Sequence, residues 1–330
     1  MHYVLLLFLT SLLVYCSRHD EAKRVDPYSD AQNFLVEEEL GPTRWDAGDT
    51  TITNEARLDL YFPYVQNKRG VYVGVGSIQN FILASWASAE AVFLFDFTKI
   101  VVFADRVHVA FFKNALTKEE YLSFFTKPKE EEVVRLLKKE YPAWDEASIQ
   151  SNFRLVAQYF RDYLAKFQKL QQNYPYGVYF TVDEQYLRLR TLALQNRLFV
   201  FSADLRGEKA LLALANFLKQ KSRFVSLLYL SNAEEYFPNY SPSFRRNISE
   251  LPVEKNALLL RSLAVQKHHY NWAPGSEFLT QVGFHYNVMS LPYFQAQLQQ
   301  GSQDLSLKKL MVQATFVTKD KSLSEILLPQ

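Results

Sequence analysis

Residues 71–96 read VYVGVGSIQNFILASWASAEAVFLFD, and the order of pieces within them decides the fold. An apolar run beginning at Val71 ends in Gly74-Val75-Gly76. Ile78, Phe81, Ile82, Ser85 and Trp86 follow at helical spacing. A second apolar run, Ala91-Val92-Phe93-Leu94-Phe95, stops at Asp96. Strand, glycine turn, helix, strand and acidic residue make up the first half of a nucleotide-binding α/β fold. The second run is apolar at every position, as parallel strands covered on both faces by helices are.

Working outward, residues 99–114 have a helical pattern, and the stretch from Thr117 to Tyr174 is almost entirely helical, punctuated by Pro128 and Pro142. A plain crossover between parallel strands does not need so much helix, so 117–174 is read as a helical insertion, a cap over the sheet edge. The alternation then resumes. Gly177–Phe180 reads as a strand, Asp183–Leu194 as a helix, Leu198–Phe201 as a strand, Glu208–Lys219 as a helix and Phe224–Leu230 as a strand. Leu258–Leu260 is a further short strand, and Phe284–Val288 and Met311–Phe316 read as antiparallel edge strands. Upstream, Thr53 or Asn54 is a plausible N-cap for a short helix over Arg57–Phe62. The expected fold class is α/β, a three-layer Rossmann-like sandwich with a mostly parallel sheet and a helical insertion. Residues 51–330 are expected to form this single domain.

Composition narrows the function classes. With 330 residues, 26 Phe and 20 Tyr against only 10 Gly, the chain can bury a sizeable core. The net charge of +2 carries no basic stripe, which argues against a nucleic-acid partner. Cys16 is the only cysteine, so neither an internal disulfide nor a cysteine metal cluster can form. His268 and His269 are neighbours, His285 and His108 stand apart, and neither an HExxH nor a P-loop sequence is present; no metal site is expected.

The apolar run Tyr3–Tyr15 is short for a membrane span and suits a signal-peptide core. Cys16 directly after it, with Leu13 three residues earlier, resembles a bacterial lipobox, and the chain turns polar at once from Ser17 to Arg24. Residues 1–16 are therefore read as a lipoprotein-type signal segment, Cys16 as the lipidation site, and 17–50 as a polar linker and N-terminal arm. A buried N-terminal helix or an uncleaved anchor is the other reading, since no Lys or Arg precedes the core and Tyr15 is bulky.

Ligands of doubly wound folds bind at the carboxyl ends of the strands. The expected strand ends carry Gly74, Gly76, Gln79 and Asn80, then Asp96, then Asp204, then Ser231, Asn232 and Glu234. Glycines let backbone approach a ligand, the following helix N-terminus offers N–H groups to an anion, and an acid at the end of the second strand can accept two ribose hydroxyls. Each has a plainer reading as a turn or a helix cap. The third glycine of the dinucleotide fingerprint falls at Gln79, so that fingerprint is incomplete.

Val73–Phe81, with Asn54-Glu55 upstream and Leu230–Tyr236 downstream, resembles a family of uncharacterised bacterial, largely spirochaete, lipoproteins whose fold is similar to that of S-adenosylmethionine-dependent methyltransferases. Arg245–Ile248, Leu251-Pro252, Leu260–Ser262 and Tyr286–Val288 extend the likeness over most of 50–295. The resemblance implies a methyltransferase-like sandwich. With the strand-end reading it gives Gly74, Gly76, Gln79, Asn80, Asp96, Asp204 and Asn232 as cofactor-binding candidates, the resemblance itself matching Asp96 to the ribose-binding acid and setting Asp204 near the adenine, with S-adenosylmethionine as the cofactor to test. It also implies membrane attachment through Cys16 in the bacterial cell envelope, with a small molecule or an envelope protein as partner. Two readings follow. In the first, an envelope lipoprotein binds a ligand or partner without catalysis. In the second, a cytoplasmic protein is an active methyltransferase-like enzyme. A third uses Asn54, Glu55, Gln79, Asn80, Asn232 and Glu234 as the polar cluster of a hydrolase.

Overall fold

The computed structural model describes residues 26–38, 51–264, 283–300, 304–319 and 322–327. The signal segment, Cys16, and the parts of the arm at 17–25 and 39–50 lie outside the described residues, as do His268 and His269.

The strands are β1 Val71–Val75, β2 Ala91–Asp96, β3 Leu198–Ser202, β4 Val225–Tyr229, β5 Val253–Ala264, β6 Phe284–Ser290, β7 Thr315–Phe316 and β8 Leu323–Ile326. They form one eight-stranded sheet in the order β3-β2-β1-β4-β5-β6-β8-β7. The first five positions are parallel and follow the doubly wound order, with its reversal between β1 and β4. β6 runs antiparallel to β5, and β8 runs parallel to β6. The sheet is mostly parallel, the fold is α/β, and it is compatible with a Rossmann-like sandwich.

Helices of nine residues or more are α1 Ile78–Ala87, α2 Lys99–Asn114, α3 Glu130–Glu140, α4 Glu146–Leu170, α5 Asp183–Leu194, α6 Ala210–Gln220, α7 Pro242–Glu250 and α8 Leu291–Gln300. Period-two alternation along the central strands sorts the core into two halves. Tyr72, Val92, Leu94, Leu227 and Tyr229 face α1, α2, α4 and α5, with Ile78, Phe81, Phe111 and Phe160. Val71, Val73, Val75, Phe93, Phe95 and Leu228 face α6, α7 and α8, with Leu214, Phe217, Phe244 and Phe294. Both faces of β1, β2 and β4 are buried, which is why these strands read as unbroken apolar runs.

Four readings of the sequence are corrected. Gly177–Phe180 is not a strand. Gly177 has φ +65° and the Thr181 and Val182 amides return to the Val178 carbonyl, so the segment is a buried turn leading into α5. Most of Met311–Phe316 is helical end and turn, because Leu307, Leu310 and Met311 bury one face of a short helix, leaving only Thr315-Phe316 extended. Leu258–Leu260 is the middle of the much longer β5. Leu323–Ile326, read as no element, is a strand against β6.

The helical stretch 117–174 does not cap the sheet edge. It stacks on α2 and extends the first core outward through Tyr121, Phe125, Phe153, Phe160 and Phe167. Thr117 caps its first helix by accepting from the Glu120 amide at 3.1 Å, and Asp145 caps α4 by accepting from the Ser148 amide at 2.9 Å. That second cap sets residues 143–152 beside the carboxyl end of β3, where one of the two grooves described below opens.

Candidate functional site

The turn after β1 stands next to the reversal of strand order, where doubly wound folds hold ligands. Its glycines are needed by the protein itself. A Cβ on Gly74 would sit 2.0 Å from Asn80 Oδ1 and 2.8 Å from the Tyr72 ring. Gly76 has φ +92°, and a Cβ there would meet Gln79 Nε2 at 2.5 Å. Asn80 is fully buried and turned inward. Its amide donates to the Val75 carbonyl at 3.0 Å and the Ser77 carbonyl at 3.2 Å, and its Oδ1 accepts from the Tyr72 hydroxyl at 2.8 Å. Asn80 pins the turn, and Gln79, also buried, lies over Gly76.

Asp96 closes the other side of this turn. Its Oδ1 accepts from the Thr98 amide at 2.7 Å, holding the start of α2. Burial pushes its carboxyl up to about 6, against hydrogen bonds from Thr98, Phe97 and Gly76 that favour the charged form. Deeper in, burial pushes the Asp105 carboxyl well up, with Ser77 beside it. The same cause pulls His108 down to about 3, so its ring is neutral, with Nδ1 2.6 Å from the Tyr121 hydroxyl.

Gly74, Gly76, Gln79, Asn80 and Asp96 therefore come together. Asp204 and Asn232 stand at other strand ends. Asp204 follows β3, where Ala203 bonds back to the Asp96 carbonyl, and its carboxylate accepts from the Arg206 amide at 2.7 Å. The start of α6 is held by Glu38. Its carboxylate accepts from the Lys209, Ala210 and Asp204 amides, at 2.9, 3.2 and 3.0 Å. Asn232 follows β4 in a short 3-10 turn, and its side chain reaches Tyr236.

The broader polar cluster is not assembled. Glu55 is buried and accepts from Ser231 Oγ at 2.9 Å and from the Tyr229 and Ser262 hydroxyls; burial raises its carboxyl while these donors oppose the shift. Glu234 instead pairs with buried Arg261 at 2.7 Å and accepts from the Tyr240 hydroxyl at 2.6 Å, with the guanidinium over the Phe294 ring. Arg261 and Ser262 are successive residues of β5 and so face opposite sides of the sheet. Glu55 and Glu234 are thereby separated by the sheet, each anchoring a different layer to the ends of β4 and β5.

An open groove of about 760 Å³ lies beside these filled strand ends. It is lined by Ser202 at the end of β3, Lys99, Phe103 and Arg106 of α2, Trp144 and Asn152 of the insertion, and Glu37. Trp144 stacks on Phe103 at 4.8 Å and on Tyr141 at 4.2 Å, giving a rigid aromatic wall. Arg106 pairs with Glu37 and donates to the Val200 carbonyl at 3.2 Å. None of these lining residues was singled out from sequence. A solitary Trp after the Pro142 break was their one visible signal. A second groove, of about 440 Å³, opens at the opposite, amino ends of the strands between α1 and α5.

Among the described residues, no group of three or more His, Cys, Asp or Glu side chains is arranged to hold a metal, and no helix is long and apolar enough to cross a membrane. The sequence profile described as "Domain of unknown function (DUF7790)" matches residues 50–327. No curated protein matches the chain.

Proposed function

The chain belongs to the DUF7790 family, and from that premise we propose that it is a binding protein of the bacterial envelope, anchored through a lipidated Cys16, that holds a small ligand without chemistry. The observation that carries the binding site is the contrast at the carboxyl edge. The glycine turn is packed with Asn80 and Gln79, and the β4 and β5 ends with Glu55, Tyr229, Ser231 and Ser262, while the groove beside β3 stands open. Its wall of Trp144 and Phe103, with Lys99 and Asn152 as donors and Glu37 and Ser202 as acceptors, suits a hydroxylated or zwitterionic ligand. The lipobox-like placement of Cys16 supports the anchor.

The alternative is a methyltransferase-like enzyme using S-adenosylmethionine. It is favoured by the β3-β2-β1-β4-β5 order and by an acid, Asp96, at the end of β2. Calorimetric titration of the purified protein with S-adenosylmethionine and S-adenosylhomocysteine separates the two. Binding abolished by Asp96→Ala, with stability retained, favours the enzyme. No heat with either compound, together with a ligand from an envelope-metabolite screen whose binding Trp144→Ala removes, favours the binding protein. Globomycin-sensitive processing tests the anchor.

A further inference from the structure

We infer that the amino edge of the sheet, around the groove between α1 and α5, is the face that this protein lays on the lipid bilayer; this rests on the lipoprotein reading of Cys16. The chain enters the described structure at that edge. Asp26 accepts from Arg197 Nε at 3.0 Å, and the Tyr28 hydroxyl donates to Glu90. Arg197 and Glu90 both line the groove. Nine residues lie between Cys16 and Asp26, so even fully extended the ten Cα–Cα steps reach at most about 35 Å. An acylated Cys16 would hold this edge near the membrane at an effective concentration on the order of millimolar, where modest apolar contact suffices.

The same edge gathers exposed apolar side chains. Leu187 and Leu194 are 50% and 51% exposed and lie seven residues apart on α5, hence on one stripe. Leu116, 67% exposed, follows Ala115, whose carbonyl accepts from Tyr186 and Arg190 of α5. Tyr176 stacks on Phe62, and its carbonyl accepts from Gln185 of α5. Phe224, just before β4, accepts at its carbonyl from the Val71 amide at the start of β1. Single exposed apolar residues are ordinary, but several on one face mark a contact surface. Leucines and aromatic rings at that depth partition into the headgroup and acyl boundary. The arrangement directs the carboxyl-edge groove away from the membrane by the length of the sheet, roughly 17 Å for a five-residue strand.

The test uses the full chain, lipidated in a bacterial host, with Cys16 acylation confirmed by mass spectrometry so that only an introduced thiol reacts. Leu187→Cys, Leu194→Cys and, at the far sheet edge, Val317→Cys are labelled with a bimane fluorophore. They are reconstituted in phosphatidylethanolamine–phosphatidylglycerol vesicles carrying doxyl-labelled lipid. The expected result is a blue shift and loss of emission at 187 and 194, and neither at 317. Acylated protein with unquenched labels at 187 and 194, equal quenching at all three sites, or a lipid-independent dimer burying both α5 labels overturns the inference. A Cys16 without acyl chains overturns the lipoprotein reading itself, and the inference with it.

Discussion

Asp96 is the residue at which a structural and a ligand-binding role part most cleanly, and Asp96→Asn separates them. Its carboxyl is raised from 3.8 to about 6 by burial. A raised acid binds its proton more tightly in the folded state. Its stabilising contribution is therefore complete below 3.8 and is lost as pH rises through about 6. A shift of about two units corresponds to about 3 kcal/mol, and between pH 4 and pH 8 roughly 2 to 3 kcal/mol of that is read. Asparagine keeps an oxygen to accept from the Thr98 amide and removes the ionisation. Urea unfolding of wild type and Asp96→Asn at both pH values gives the difference, because Glu55 titrates in both proteins and cancels, while Asp105, whose upward shift the Asp96 charge adds to, is relieved in the variant and adds to the same gain. The variant is expected to gain on the wild type by at least that amount at pH 8. Parallel stabilities across the range would refute a desolvated carboxylate and leave Asp96 as a solvated, ligand-ready acid.

Gly74→Ala is expected to cost about 1 to 3 kcal/mol without any ligand, from overpacking against Asn80 and Tyr72. Combining it with Asn80→Ala is expected to cost clearly less than the sum of the single changes, read by chemical denaturation. Glu55→Ala leaves the Tyr229, Ser231 and Ser262 hydroxyls without their acceptor and should destabilise by about 3 kcal/mol or more; a change below about 1 kcal/mol would contradict the buried network. His108, depressed from 6.5 to about 3, contributes stability present above 6.5 and lost as pH falls. His108→Leu is expected to flatten acid destabilisation between those values by up to about 5 kcal/mol, followed by thermal melting against pH.

Residues 71–114 determined their own local structure. β1, α1, β2 and α2 fall where the apolar runs, the glycine turn and the helical spacing put them, with Lys99–Asn114 and Asp183–Leu194 matching residue for residue. Period and turn chemistry are local properties, so they are legible in a single chain. Gly177–Phe180 misled for the same reason: a short buried apolar run has no period of its own, and only its neighbours make it a turn.

What the strand-end residues do was decided by partners that only the folded chain brings to them, some near in sequence and some far away. Asn80 looks like a ligand donor until Tyr72 and the Val75 carbonyl claim it. Glu55 finds its donors at positions 229, 231 and 262, and Glu38 caps a helix that begins at Ala210. The open groove draws on Glu37, Phe103, Trp144 and Ser202, residues that no spacing rule connects. A buried polar group must find a partner wherever the fold supplies one. The sequence alone therefore determined which residues reach the carboxyl edge, while tertiary packing decided which of them are consumed in holding it together and where space is left beside them.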